Sequence, residues 1–327
     1  MSDKEFNKFP SLENTYQTKP IQIAEELGLD KQQYIVTDKV HGANFSFWMT
    51  EEHLSVEGIG LCSAVVIKCA KRSGWIEDDE KFFNYQPVLE KYRDSLERLY
   101  YHLSGTHDCD EVVVFGELYG GNIQSGMCYK EDQDFIAFDM KIDGVPVGKL
   151  SMFNDLKTYE IPCVPLLGKF DTLQEALSFN ESFDSFLMRE GFNGEEKHKE
   201  AEGVVVEPVT PSWFPNGSRV YFKKKTKRFL EKGGNKIKKA PETLPKELES
   251  VLITSFEYIN ESRFQSVCSK IGEVTIKDIG KVMGLMTQDI LLDMQKDEIE
   301  IPENKKFMKL LQTEVQTFIR PILLQKA

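Results

Sequence analysis

The chain has 327 residues, 40% of them hydrophobic and 29% charged, a mixture that supports a folded core and excludes a largely disordered or fibrous protein. That length leaves room for one large domain and a smaller second one. The net charge of −12 argues against a surface that is basic throughout, yet between Arg219 and Lys239 ten bases face the single acid Glu231, a concentration suited to phosphates.

The amino terminus lacks the apolar run of a signal peptide, and no stretch is long and apolar enough to span a bilayer. An intracellular protein, cytoplasmic or nuclear, with no membrane partner is therefore expected. The six cysteines form no CxxC pair and have no histidine at zinc spacing, so reduced thiols are expected rather than a metal knuckle.

In chain order, Tyr34–Val40 and Phe45–Trp48 read as strands around the polar turn His41-Gly-Ala-Asn44, which suits a hairpin. Val65–Ala70 follows as a strand. An amphipathic helix is predicted over Val88–Leu103, where Val88, Leu89, Tyr92, Leu96, Leu99 and Tyr100 share a face. Strands are predicted at Val112–Leu118 and Phe135–Lys141, a helix at Leu173–Leu187, and strands at Gly203–Pro208 and Arg219–Lys225. The composition changes at Glu231-Lys-Gly-Gly-Asn-Lys, before Pro241 and Pro245, which marks a linker; the charge run after Glu231 reads equally well as its solvated face. Beyond it the pattern is helical. Thr275 caps a helix with Asp278 three residues on, and Phe307, Leu310, Leu311, Val315, Phe318 and Ile319 line a last helix that Pro321 should end or bend. The expected class is α+β, mainly antiparallel, with residues 1–232 as the large domain, 233–245 as linker and 246–327 as a small all-α domain.

Five short segments carry the chemistry: Asp38-Lys-Val-His-Gly-Ala-Asn-Phe45, Cys69-Ala-Lys-Arg-Ser-Gly74, Phe115-Gly-Glu-Leu-Tyr-Gly120, Glu202-Gly-Val-Val-Val-Glu207 and Tyr221-Phe-Lys-Lys-Lys225. Each alone recurs by chance; together they are specific. Lys39 ends a strand at a glycine turn, at the rim of a sheet. A lysine of pKa about 10.4 is neutral in only about one molecule in 2,500 at pH 7, so attack on phosphorus needs nearby cations and desolvation. The period of two sends Lys223 and Lys225 to one face of their strand and Lys224 to the other, which supplies those cations. A lone lysine is ordinarily just solvated; the surrounding set reverses that reading for Lys39. Glu202 opens the apolar run Val204-Val-Val206, where a carboxylate is costly unless it pairs or holds a cation such as magnesium. Glu117, at a buried strand's end, suits a ribose hydroxyl. Phe138-Asp139 offers an aromatic face for a purine beside a carboxylate, although core packing is the stronger reading of Phe138 alone.

These segments resemble the motifs of the covalent nucleotidyltransferases, the ligase and capping-enzyme superfamily. His-Gly-Ala-Asn-Phe after the lysine is similar to the RNA ligase 2 family of T-even phage and the kinetoplastid editing ligases. The likeness extends through Ser11-Leu-Glu-Asn14, Pro211-Ser-Trp213, Ser269-Lys-Ile-Gly-Glu273 and Gly280-Lys-Val-Met-Gly-Leu285. It implies a nucleotidyltransferase domain of antiparallel sheets with flanking helices, an all-α carboxyl-terminal domain, and ATP-dependent sealing of RNA 3'-OH and 5'-phosphate ends through a lysyl-AMP, the work of RNA repair or editing. Nicked duplex RNA is the implied partner, with ATP and Mg2+ (or Mn2+) as cofactors. By the same resemblance, Lys39 is the adenylated residue, His41 assists adenylation, and Lys223 and Lys225 contact phosphates. Val40, Asn44, Glu117, Phe138 and Asp139 line the ATP pocket. Glu202 and Asn44 serve the metal, and Lys71, Arg72, Arg263 and Asp289 serve RNA. Two departures stand out: Glu207, where relatives often carry lysine or arginine, so that a phosphate contact there is not expected, and a longer segment between Phe47 and Lys68, read as an enlarged hairpin. The competing readings are DNA sealing or guanylyl transfer on the same scaffold, and a non-catalytic RNA-binding relic.

Overall fold

A computed structural model describes residues 6–56, 60–121, 123–124, 127, 129–188, 199–231 and 246–325. The proposed linker 233–245, Lys232 and the distal half of the basic run lie outside them, as does Cys128. The chain divides into two compact units, Met1–Thr226 and Lys227–Ala327.

The first unit runs β1 (Glu13–Asn14), α1 (Thr18–Glu26), β2 (Tyr34–Asp38), β3 (Ala43–Val56), β4 (Gly60–Lys71), β5 (Gly74–Trp75), α2 (Gln86–His107), β6 (Glu111–Gly120), β7 (Gln133–Ile142), β8 (Val145–Pro146), α3 (Lys149–Thr158), β9 (Leu166–Phe170), α4 (Leu173–Leu177), β10 (Gly203–Pro208) and β11 (Phe222–Lys225). Its strands form two sheets, β1-β11-β10-β2-β9 and β5-β4-β3-β6-β7-β8. All ladders are antiparallel except that of β1 with β11. The mixed α+β class with mainly antiparallel sheet is thus as expected.

Alternation along each strand decides what meets what. The first sheet turns Tyr34, Val36, Val204, Val206 and Phe222 onto α1 and α4. The second turns Phe45, Phe47, Met49, Val112, Val114 and Leu118 onto α2 and α3. Between the sheets a smaller cluster of Phe9, Trp48, Val113, Phe115 and Tyr221 holds them together. Polar side chains, among them Asn44, Glu117, Glu207, Lys223 and Lys225, share these inward faces.

Two expectations are corrected in this unit. His41-Gly-Ala-Asn44 is no hairpin turn, because β2 and β3 lie in different sheets. The chain changes sheets at this corner and presses onto β6 so tightly that any Cβ at position 42 would overlap the Leu118 carbonyl, which requires Gly42. The helix predicted over Leu173–Leu187 stops at Leu177. Asn180 accepts the Ser182 N–H at 3.1 Å, an Asx turn that competes with further helix. The longer segment between Phe47 and Lys68 is an enlarged hairpin, as expected: β3 and β4 stay paired as far as Val56 and Gly60.

The second unit contains α5 (Lys246–Phe256), α6 (Glu261–Ile271), α7 (Ile279–Lys296) and α8 (Lys305–Gln325). They share a core that includes Leu252, Phe264, Val282, Met286, Ile290, Phe307, Leu311, Val315 and Ile319. Thr275 and Asp278 form the expected capping box, which opens a short 3₁₀ turn leading into α7. Pro321 neither ends nor delimits α8, which continues to Gln325. It lies on the exposed face, where water can satisfy the freed carbonyl, while Ile319 and Leu323 keep the last turns buried. Among the described residues no helix is long and apolar enough to cross a membrane.

Leu96 is fully buried where α2 crosses the second sheet. Leu96→Ala is expected to cost about 2–5 kcal/mol. Urea unfolding measures this, and a loss below about 1 kcal/mol would contradict the packing described.

Candidate active site

The register of the first sheet brings the catalytic candidates together. β10 lies between β2 and β11, with Gly203 opposite Lys225 and Val204 opposite Asp38. The Lys39 N–H donates to the Gly203 carbonyl and the Thr226 N–H to the Glu202 carbonyl, each at 3.0 Å. Glu202 is therefore fixed between the residue after β2 and the last residue of β11. Its side chain follows from that placement: Lys39 Nζ donates to Oε2 at 2.8 Å, and Lys225 Nζ is 2.9 Å from Oε1. The His41 Nδ1 lies 3.3 Å from Oε2.

Glu202 is only 4% exposed. Burial alone would push its carboxyl up, but the Lys225 and Lys39 ammoniums and the His41 hydrogen bond outweigh that and hold it well below the usual range. Lys223 shares the inward face with Lys225, whereas Lys224 points the other way. There it donates to the Leu177 and Phe179 carbonyls at 3.0 and 2.9 Å and pairs with Glu181. The alternation read from the sequence holds.

The second sheet supplies the opposite wall. Asn44 and Glu117 are partners across β3 and β6 and so share a face. Glu117 Oε2 is enclosed and has no hydrogen-bond partner. Burial pushes this carboxyl up to about 8, opposed by Lys39, reinforced by Glu202 and opposed again by Arg72. Arg72, just past β4, reaches the Ser11 hydroxyl at 3.2 Å. Val40 is buried in the corner between the sheets.

Phe138 and Asp139 reach the same side of the second sheet through a bulge. The β6–β7 register shifts between Phe115 and Gly116, leaving Phe138 as the extra residue. Phe138 packs edge-to-face on Phe9 at 4.9 Å, and Asp139 accepts the Tyr221 hydroxyl at 2.8 Å. Asp139 is also paired with Arg219 and fully buried.

Of the other predicted RNA contacts, one lies on the far face of the second sheet and two belong to the second unit. Lys71 shares a face with its ladder partner Phe45, so it points to the α2 side, pairs with Glu80 and lies over the Phe82 ring. Arg263 is 1% exposed, donates to the Tyr258 and Glu231 carbonyls at 2.9 and 3.1 Å and pairs with Asp293 at 2.7 Å. A guanidinium so enclosed organises the helical unit rather than offering itself to solvent. Asp289 is paired with Lys270.

Sequence reasoning missed several side chains for which no local pattern exists. The Tyr129 hydroxyl accepts the His41 backbone N–H, and the Gln124 amide donates to the Gly42 carbonyl, both at 3.0 Å. Together they fix the turn that follows Lys39. Lys149 and Arg219 provide the counter-charges for Glu207, which explains how a carboxylate is tolerated there: Lys149 Nζ lies 2.8 Å from Glu207 Oε1, and Arg219 Nη2 lies 3.8 Å from Oε2.

Comparison with known proteins shows the family. The RNA ligase family model matches residues 32–225. The chain belongs to the RNA ligase family. Residues 242–326 match the model described as T4 RNA ligase 2 C-terminal. Mitochondrial RNA-editing ligase 2 of Trypanosoma brucei brucei is 30% identical over 119 residues, which is 36% of this chain and 26% of that protein. RNA-editing ligase 1 of the same organism is 27% identical over 120 residues, 35% of this chain and 23% of that one. The chain thus matches about a quarter of the length of these curated relatives. Among solved structures, Naegleria gruberi RNA ligase with ATP and manganese aligns at 18% identity and a TM-score of 0.47, over 69% of this chain and 58% of that one.

The position of Glu117 makes a pH dependence testable. An unfolded chain ionises this carboxyl near its ordinary 4.5, the folded chain only near 8. The folded state therefore holds the extra proton between those values, and stability falls as pH rises through that window. In urea unfolding at about pH 5 and about pH 8.5, wild type should lose stability relative to Glu117→Gln at the higher pH. Parallel profiles would contradict the burial of Glu117.

Proposed function

We propose that this RNA ligase family member is an ATP-dependent RNA ligase that carries AMP on Lys39 and seals 3'-OH and 5'-phosphate RNA ends, with nicked duplex as the preferred substrate. The observation that carries the reading is the Lys39–Glu202–Lys225 cluster facing an enclosed, unpartnered Glu117 oxygen. A buried polar atom without a partner is costly, and a ribose hydroxyl would satisfy it. The cations around Glu202, together with Arg72, favour a polyphosphate entering the cleft.

The chain's own groups account for the first step. Lys39 Nζ, once its ammonium has given a proton to water, attacks the α-phosphorus of ATP and pyrophosphate leaves, so one N–P bond forms as one P–O bond breaks. Lys225 and Lys223, on the same inward face, neutralise charge on the phosphate oxygens, and the turn held by Tyr129 and Gln124 keeps Lys39 in line. AMP then passes to an RNA 5'-phosphate oxygen, and attack by the 3'-OH releases it. Arg72 and Ser11 lie at the opening where that phosphate would enter. Phe138 provides the face for adenine.

The donor set also fits magnesium. Among the described residues no three His, Cys, Asp or Glu side chains form a metal cage. Glu202, with the Asn44 amide opposite, provides the one-carboxylate kind of site that magnesium shares with substrate phosphates and water. When bound there, the ion would neutralise developing phosphate charge. The Trypanosoma brucei brucei relatives are mitochondrial by name.

Intact-mass measurement after incubation with ATP and Mg2+ tests the reading. Wild type is expected to gain one AMP and Lys39→Ala none, and Lys225→Ala should adenylylate about 10²–10³-fold more slowly. Labelled GTP should leave no adduct. Labelling by GTP instead of ATP would favour a capping-type transferase, and binding of nicked RNA with no adduct at all would favour a non-catalytic role.

A further inference from the structure

The sequence departs from its resemblance at Glu207, and the surroundings of that residue lead away from the phosphates toward the other end of the cleft. Glu207 is 2% exposed and faces inward on β10, one residue before the strand ends. Its partner Lys149 is the first residue of α3 and is 3% exposed, an extreme position for an ammonium unless every donor has a purpose. Lys149 has two acceptors: Glu207 Oε1 at 2.8 Å and the backbone carbonyl of Phe138. Its own N–H donates to the Val209 carbonyl at 3.2 Å, so the start of α3 is tied to the end of β10 through both backbone and side chain.

Phe138 is the bulged residue of β7, and a bulge leaves a residue outside the regular ladder pairing. The Lys149 ammonium occupies its carbonyl. Around it, Asp139 is held by Arg219 and by the Tyr221 hydroxyl, the Arg219 guanidinium lies 4.2 Å from the centre of the Tyr221 ring, and Tyr221 stacks on Phe9 at 5.9 Å. Phe9 in turn packs on Phe138. The first sheet therefore grips the bulge by two routes, Glu207–Lys149 on the backbone and Tyr221–Phe9 on the ring.

We infer that Lys149, oriented by Glu207, is a positioning residue that fixes the bulge at Phe138 and so sets the depth and tilt of the ring against which the nucleobase of ATP is received. The inference rests on the assignment of Phe138 as the adenine contact. It gives Glu207 a role suited to its charge. A basic residue at position 207 could not orient Lys149, and here the acid serves the base end of the pocket through its partner.

The test measures the rate of Lys39 adenylylation against ATP concentration, separating the half-saturating concentration from the saturating rate. Lys149→Met leaves Glu207 buried without its main partner and could unfold the protein, so the informative variant is the exchange K149E/E207K. It keeps one positive and one negative charge in contact, leaves Arg219 paired with Asp139 in place of Glu207, and puts a carboxylate, which cannot donate, against the Phe138 carbonyl. A role limited to ion pairing predicts that the exchange restores wild-type behaviour. Positioning predicts a half-saturating ATP concentration about tenfold higher, with a smaller change in saturating rate. Phe138→Leu distinguishes the two layers of the inference. Where Phe138 does meet adenine, Phe138→Leu raises the half-saturating concentration, and adding the exchange to it raises it no further. If Phe138→Leu has no effect, the adenine assignment is wrong. If Phe138→Leu weakens ATP binding while the exchange does not, the role of Lys149 is overturned and the adenine assignment stands.

Discussion

A carboxylate almost sealed from water is tolerated at Glu202 because two ammonium groups and an imidazole converge on it. Taking one partner away from such a buried set typically costs about 3–5 kcal/mol, since the remaining charge stays desolvated. The first sheet is arranged around that constraint. β10 is central so that the residues ending β2 and β11 flank Glu202, and the chain passes to the second sheet immediately after Lys39. The same cluster has its cations already gathered, so the polyphosphate proposed to bind there would exchange one anionic partner for another.

The second sheet contributes what the first cannot. Its inward face is apolar at one end and polar at the other, and the change comes where Phe115 gives way to Glu117. At the polar end the Glu117 Oε2 is enclosed without a hydrogen-bond partner. At the apolar end a bulge re-aims two consecutive side chains, one as an aromatic face and one as the anchor of a buried ion network. The cleft so formed grades from cationic to aromatic along its length, an order that matches the phosphates and base of the nucleotide proposed to bind there.

Much of this was legible in the sequence, and the limits have physical causes. Strand alternation placed Lys223 and Lys225 on one face and Lys224 on the other, and a charged residue opening an apolar run marked Glu202. The sheet change at His41–Asn44 was not legible, because a polar glycine turn between two short strands looks the same whether the strands pair with each other or with different neighbours. Asn180 ended a helix whose apolar spacing continued, a case of side-chain hydrogen bonding competing with periodicity. Lys71 was misplaced by being read with its neighbour Arg72, although adjacent residues of a strand face opposite ways. Lys149, Arg219, Tyr129 and Gln124 had no signal of their own, since each acts through a partner distant in sequence. Glu207 was noticed only as a departure, and its meaning depended on a lysine at the start of a helix fifty-eight positions earlier.

The central claim is that Glu202 holds Lys39 at the phosphate end of a nucleotide cleft closed on its other side by Glu117 and Phe138. A crystal structure of the chain with magnesium and a non-hydrolysable ATP analogue tests it most directly. The account predicts Lys39 Nζ facing the α-phosphorus, a ribose hydroxyl on Glu117 and the adenine against Phe138. A nucleotide bound outside the two sheets, or one whose phosphates lie away from Lys39 and Lys225, would contradict it.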